Sequence, residues 1–474
     1  MAKQVQTKGG GRQYIAVWQP QPGPQEALLS CPIFEVFYGG ARGGGKTDGM
    51  LGDFAYHAHL YGEFARGVFF RRTYKQLEEV LFRSFQLYPK LGATWHKGNQ
   101  LWTFLNGATL KLRHLWDEND AENYQGHSYT WVCIEEVTNW PSPAPIDRIR
   151  ATLRSAHGVP VRLRMTGNPG GAGHNWVKQR FVTPAPGGFT PIIDPVSHEV
   201  RVFIPARLED NPALTLKDPN YERRLLQAGS SALIKAWRFG IWDIVAGGFF
   251  DDVWSPTHHV LTPFEIPSGW RLRRSFDWGS AKPSSLGFWA ESDGVPIEAL
   301  GKHFPRGSMI RIGEWYTVDK DVQGYTKANV GLHLNNKQLG AGIANRSQNR
   351  IWRGCVADPS IFIKAGGPSI YDQLREGARE VGGQIVFSKA DNNRVAGWQK
   401  MRSMLQAAIS DKPESPGLWI FENCTDWIRT VPVLQRDQKN PDDVDTDSED
   451  HAADESRYAL MGGGDKQQSQ EFLL

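Results

Sequence analysis

The chain has 474 residues, 22 % of them charged and 40 % hydrophobic, with a formal net charge of +3. That length exceeds one ordinary core and predicts two or more domains. The near-neutral balance neither demands nor excludes a nucleic-acid partner, and any basic surface must be local. No apolar run reaches the ~18 residues of a membrane helix. The polar start, MAKQVQTKGGGRQ, has no apolar h-region, so no signal peptide is expected. The cysteines, Cys31, Cys133, Cys355 and Cys424, are scattered with no CxxC spacing. That argues against a zinc site or a disulfide framework and fits a reducing cytoplasm.

Residues 1–13 read as a flexible arm. The first domain is expected over 14–247 and the second over 248–474, with the break at the paired glycines of GIWDIVAGGFF. The turn-rich WQPQPGPQ stretch precedes a short helical run. Its Gln25 is a candidate for reading an adenine edge, because an amide offers both a donor and an acceptor; a plain loop glutamine is the alternative. Phe34 to Thr47, FEVFYGGARGGGKT, is an apolar strand ending in a P-loop (Walker A) pattern. Gly40, Ala41, Arg42, Gly43, Gly44 and Gly45 would curl so that their N–H groups face phosphate oxygens. Lys46 would reach the β- and γ-phosphates of ATP and Thr47 would hold Mg²⁺.

Gly67 to Phe70 reads as a second strand. Thr73 is placed to cap a helix over residues 74–88. Leu101 to Leu115 alternates around Asn-Gly, a hairpin signal. Arg71, Arg72, Lys111 and Arg113 are candidates for touching phosphates, with ordinary solvated charges near strand ends the favoured reading. Tyr129 to Ile134 is a strongly apolar strand followed at once by Glu135 and Glu136. A central strand delivers such carboxylates beside a P-loop, as a Walker B element. Glu135 is assigned to the metal and Glu136 to orienting and deprotonating the attacking water. A further strand, VRLRM, ends in Thr166-Gly167-Asn168, where Thr166 and Asn168 would sense the γ-phosphate.

The second half has no P-loop. Strands end at Asp277 and Asp358, and a late helix carries Asp450 and Asp454 one turn apart. Three carboxylates from two strand ends and a helix suit two divalent metals, although each aspartate alone also suits a turn.

Taken together, GPQ, GGARGGGKT, FFRRTYKQL, YQGHSYTWVCIEE, MTGNPGG, SFDWG, VADPS and DHAADESRY resemble the large terminase subunit of tailed double-stranded DNA phages, in the family's order. The resemblance implies an α/β chain: an N-terminal P-loop (ASCE, RecA-like) ATPase followed by a C-terminal RNase H-like nuclease. It implies ATP-driven translocation of double-stranded DNA into a procapsid and metal-dependent cutting of concatemeric genomes. The cofactors would be ATP with Mg²⁺ and, in the nuclease, two Mg²⁺ or Mn²⁺. Asp277, Asp358 and Asp454 would be the nuclease carboxylates, with His451 and Asp450 as neighbours that could support metal or water. The small terminase subunit and the portal would be partners, and a homo-oligomeric ring the working form, with a monomer possible in isolation. The protein would act in the host cytoplasm and would not stay in the virion. Two departures stand out. Glu135 replaces the commoner Asp, and Gln125 stands where some members carry an arginine acting on a neighbour's ATP. Arg42 is then the candidate arginine finger, acting in cis, with a phosphate-independent surface residue the alternative. A DNA helicase or repair ATPase and a nucleotide-switched scaffold without nuclease activity are the rival readings.

Overall fold

The computed structural model describes residues 2–6, 12–194, 197–225, 227, 231–242, 248–297, 302–320, 326–347, 350–410, 412–437 and 439–462. The chain divides into two compact units, Met1–Gly247 and Gly248–Leu474. Residues 243–247, just ahead of the boundary, lie outside the described residues.

The first unit opens with β1 (Ala2–Gln6) and β2 (Arg12–Ala16), paired antiparallel with Gln6 opposite Arg12. Reading residues 1–13 as a loose arm therefore misses a ribbon. Val5, Tyr14 and Ile15 favour extended backbone, a signal that the surrounding polar residues hide. Residues 7–11 lie outside the described residues.

A nine-stranded sheet forms the body of this unit. Its strands are β3 (Glu35–Gly40), β4 (Arg66–Arg71), β5 (Thr94–His96), β6 (Leu101–Thr103), β7 (Thr109–His114), β8 (Trp131–Ile134), β9 (Arg162–Gly167), β10 (Pro191–Ile193) and β11 (Val200–Ala206). They lie in the order β10-β11-β3-β9-β8-β4-β7-β6-β5. From β11 to β7 every neighbouring pair is parallel. The continuous apolar runs of β3, β4 and β8 suit strands covered on both faces. Phe37 shows why: its ring lies 5.1, 5.6 and 5.5 Å from Phe181, Phe203 and Trp242. Its chain neighbours Val36 and Tyr38 enter the opposite core with Phe54 and Trp131. Each such side chain contributes about 1.5–3 kcal/mol by leaving water.

One topological fact organises the chemistry. Strand β9 lies between the P-loop strand β3 and the Glu135-Glu136 strand β8, which is the ASCE arrangement. All three are parallel, so their following loops emerge at one carboxyl edge. Four helices matter below: α1 (Pro24–Ser30), α2 (Lys46–Tyr61), α3 (Tyr74–Leu87) and α4 (Ser231–Phe239). Thr73 caps α3 by accepting from the Gln76 N–H at 3.3 Å.

The second unit has a seven-stranded sheet of β12 (Val260–Leu261), β13 (Arg271–Asp277), β14 (Ser285–Glu291), β15 (Met309–Tyr316), β18 (Val356–Ala357), β19 (Ser388–Lys389) and β20 (Leu418–Phe421). A separate ribbon pairs β16 (Val318–Lys320) with β17 (Thr326–Gly331). The sheet order is β12-β20-β15-β14-β13-β18-β19. β13, β14 and β15 form an antiparallel meander, and β18 and β19 join parallel beside β13. That sequence of pairings is the RNase H-like sheet. Helices α5 (Arg394–Ala408) and α6 (His451–Met461) pack against each other, and α6 lies on β13 and β14. Glu455 of α6 is fully buried, where it accepts from Ser275, Arg311 and, at 2.9 Å, the Trp289 indole.

Among the described residues no helix is long and apolar enough to cross a membrane. The four cysteines are free thiols, three of them buried.

Candidate functional site

The P-loop is shaped by backbone that favours glycine. Gly40 has φ +136°, and a Cβ there would sit 2.3 Å from the Ala206 carbonyl oxygen. Gly45 caps α2 in the left-handed region at φ +73°. The turn delivers Lys46 into a buried position, where its Nζ donates to the Ala41 carbonyl at 2.6 Å and to Asn168 Oδ1 at 2.8 Å. Burial lowers its pKa to about 8, with Glu136 and Glu135 acting against that shift. Thr47 Oγ1 donates to Glu135 Oε1.

Glu135 and Glu136 leave β8 in opposite circumstances. Glu135 is buried and its other oxygen accepts from Arg71 Nε at 2.8 Å. Burial raises its pKa, and the Arg71 charge and the Thr47 hydroxyl oppose that. Glu136 adopts φ +54°, rare for a residue with a Cβ, and costs about 1–3 kcal/mol that its surroundings must offset. Its N–H donates to Thr166 Oγ1 at 3.2 Å. Its carboxylate accepts from Asn168 Nδ2 at 2.9 and 2.8 Å. Asn168 thus bridges the P-loop lysine and Glu136 through opposite ends of one amide. The Thr47–Glu135 pair, with one hydroxyl and one carboxylate at the head of α2, has the oxygen donors that Mg²⁺ takes.

Three sequence expectations meet a different local structure. Gln25 is buried in α1 with both amide ends engaged: Nε2 donates to the Gly45 carbonyl at 2.8 Å, and Oε1 accepts from the Gln21 N–H at 2.8 Å. It braces the P-loop with one N–H of its amide and accepts with one lone pair of its oxygen. Arg42 is engaged by α4. Its N–H donates to the Trp237 carbonyl at 2.8 Å, and its guanidinium lies 3.5 Å from the Trp237 ring centre. Burial there lowers its pKa, and the charge of Glu136 works against that. Arg71, read as a solvated charge, is instead the counter-charge of Glu135. β4 pairs with β8 so that Phe70 faces Ile134, which puts the next residues of both strands side by side. An arginine directly after an apolar strand was the available signal.

In the second unit, Asp277 ends β13 and Asp358 follows β18, so both stand at the carboxyl edge of adjacent parallel strands. The Asp358 N–H donates to the Phe276 carbonyl at 2.9 Å. Asp454 projects from α6. Burial pushes Asp277 up to about 7; His451 acts against this, and Asp454 and Asp358 add to it. Asp277 is thus the carboxylate on which both of the others act. His451 Nδ1 lies 3.3 Å from Asp277 Oδ2, and its Nε2 meets Asn329 Oδ1 of β17 at 2.9 Å. Burial also pushes Asp450 up to about 6, with Asp454 adding to the rise.

The donors are carboxylate oxygens, the kind a hard divalent cation takes. Their present directions differ. Among the described residues no group of three or more His, Cys, Asp or Glu is arranged around an ion position. Asp454 turns to Arg394 at 2.9 Å and Arg457 at 2.9 Å. Asp358 accepts from the Ser360 N–H and Oγ at 2.8 and 2.7 Å. Arg394 carries no motif that marks it in the sequence.

Residues 37–255 match the family model described as "Terminase large subunit, T4likevirus-type, N-terminal". No curated protein matches the chain. Among solved structures, the HK97 bacteriophage large terminase aligns at 13 % identity and TM-score 0.45, covering 94 % of this chain and 95 % of that one. The large terminase of a thermophilic bacteriophage, in complex with ADP, aligns at 16 % identity and TM-score 0.40, covering 93 % and 98 %. The P22 large terminase nuclease domain aligns at 14 % identity and TM-score 0.32, covering 45 % and 91 %. None of these structural likenesses is close enough to assign a residue's role.

Proposed function

We propose, for a chain whose residues 37–255 match a terminase large-subunit N-terminal domain, that the first unit hydrolyses ATP to drive double-stranded DNA into a procapsid and that the second unit cuts concatemeric DNA. The carrying observation is the joining, in one chain, of that domain to an RNase H-ordered sheet with Asp277 and Asp358 at one edge and Asp454 beside them. Small terminase subunit, portal and a ring of copies would be the partners, in the host cytoplasm.

In the first unit the P-loop amides and Lys46 bind the phosphates of ATP, and Thr47 and Glu135 would hold its Mg²⁺. Glu136 accepts the proton of the attacking water. Asn168, bonded to both Lys46 and Glu136, registers loss of the γ-phosphate. Thr166 fixes the backbone of Glu136. Arg42, released from Trp237, supplies positive charge in cis. In the second unit Asp277, Asp358 and Asp454 would hold divalent cations, which when bound activate a water and stabilise the leaving oxygen of a phosphodiester. His451 keeps Asp277 oriented through its Nδ1. DNA held through its phosphates is moved without regard to sequence and releases as salt rises.

The test is a plasmid-nicking assay with Mn²⁺ beside steady-state ATP turnover. Asp277→Ala and Asp454→Ala are expected to lose nicking, and Lys46→Ala to keep it. Glu136→Ala is expected to lose turnover and keep nucleotide binding. Equal nicking by all variants, or undiminished turnover in Glu136→Ala, overturns the corresponding half.

A further inference from the structure

The acidic edge of the second unit already contains a cation from its own chain. Arg394 is the first residue of α5, behind its cap Asn393. Its Nη1 donates to both oxygens of Asp454, at 2.9 and 3.2 Å. Its Nε donates to both oxygens of Asp443, at 3.1 and 3.2 Å. Its Nη2 makes no hydrogen bond and meets Asp450 at 3.6 Å. One guanidinium therefore serves three carboxylates.

A second arginine, Arg457, also binds Asp454, at 3.0 and 2.9 Å, but it is placed differently. Arg457 is fully buried, lies against the rings of Trp398 and Tyr458, and donates to Asn392 at 2.9 Å. It is part of the core and has nowhere to go. Arg394 keeps 27 % of its side chain exposed and has a second home in Asp443. Asp443 is itself fixed by the Trp398 indole at 2.7 Å and the Val444 N–H at 2.8 Å.

We propose that Arg394 competes with the divalent cation for Asp454, and that Asp443 retains the arginine when the cation enters. The proposal rests on the reading of Asp277, Asp358 and Asp454 as a cation site. A carboxylate whose two oxygens both accept charge-assisted bonds has little donor capacity left for a metal. A cation must displace at least one guanidinium, and Arg394 is the movable one. Swinging it fully onto Asp443 spares the cost of leaving either charge unpaired, so the exchange is short and reversible. By linkage, whatever factor the arginine takes from cation affinity, the cation takes from the arginine's hold on Asp454. The second unit would then cut only under conditions that draw Arg394 aside, such as a high cation concentration or a phosphate group arriving at the guanidinium.

The experiment titrates the nucleotide-free full chain with Mn²⁺ and reads free ion by electron paramagnetic resonance. Arg394→Gln is expected to bind Mn²⁺ about tenfold tighter than wild type, within the usual range of site-to-site coupling. Arg394→Lys should fall between them. Asp443→Asn should bind more weakly than wild type, because the arginine then has no carboxylate home apart from Asp454 and its neighbour Asp450. Arg394→Gln with unchanged or weaker affinity overturns the competition. Should Arg394→Gln fail to fold by circular dichroism, wild-type affinity in Asp443→Asn overturns it equally. Asp277→Asn separates the two ideas. If it leaves Mn²⁺ binding intact, the cation site itself is wrong; if it removes binding while Arg394→Gln gains nothing, only the competition is wrong.

Discussion

Replacing Asn168 with alanine is the sharpest probe of the first unit. Its Nδ2 donates to both oxygens of Glu136 at 2.9 and 2.8 Å, while its Oδ1 accepts from Lys46 at 2.8 Å. The two Glu136 contacts share one nitrogen and are counted as a single charge-assisted interaction. Hydrogen bonds to charged groups are worth about 1.5–3 kcal/mol net. If that interaction holds Glu136 in its unusual backbone conformation, its loss slows turnover by roughly 10- to 150-fold. Nucleotide binding should stay close to wild type, because Lys46 keeps the Ala41 carbonyl at 2.6 Å. The assay is phosphate release at saturating ATP beside titration with a fluorescent ADP analogue. Asn168→Asp, which brings a second carboxylate against Glu136, should be slower still. Wild-type turnover in Asn168→Ala, or a loss of binding as large as the loss of turnover, would refute the bridge as a catalytic device.

Lys46 predicts a pH dependence of binding. Its pKa in the folded protein is about 8, below the ordinary lysine value, so the charged form is complete below that pH and fades above it. Affinity for ADP, measured by the same titration, should weaken as pH rises through about 8, and in Lys46→Ala the profile should be flat. Arg71→Ala removes the charge that opposes the burial-driven rise of the Glu135 pKa. Its ATP turnover, followed as a pH–rate profile, should shift toward alkaline pH, with partial rescue by Arg71→Lys. Asp53 is fully buried and binds Arg162 at 3.0 Å, Arg164 at 3.2 Å and the Trp131 indole at 2.7 Å. Asp53→Ala leaves Arg164 buried without its partner and should cost about 3–5 kcal/mol in urea unfolding. Replacing both by apolar residues, as in Asp53→Leu with Arg164→Met, should recover only part of that loss, since Arg162 and the Trp131 indole still lack their acceptor.

What a sequence shows well is whatever is local. The P-loop, the Glu135-Glu136 pair and the Thr166-Gly167-Asn168 turn each sit at the end of a strand legible in the sequence, and the structure gathers them at one sheet edge. The cap of α3 and the hairpin between β6 and β7 are equally readable, because Thr73 and Asn106-Gly107 act within a few residues. What it hides is pairing at a distance. Nothing in β9 announces that it inserts between β3 and β8, since parallel neighbours come from far along the chain. Arg71 reads as a surface charge because its partner is 64 residues away. Gln25 has the chemistry to read a base, and nothing in its own segment announces that the fold aims its amide at Gly45. Asp454 illustrates the same limit: its position on a helix is legible, and its arginine clamps are not.

The late helix α6 has one more implication. Every residue from His451 to Leu460 is buried, and Glu455 roots it in Arg311, Ser275 and Trp289 beneath the sheet. Such an anvil is too firmly seated to slide. Any adjustment at this acidic edge is then left to side chains on the pieces around it, such as Arg394 at the start of α5, which keeps 27 % of its side chain exposed.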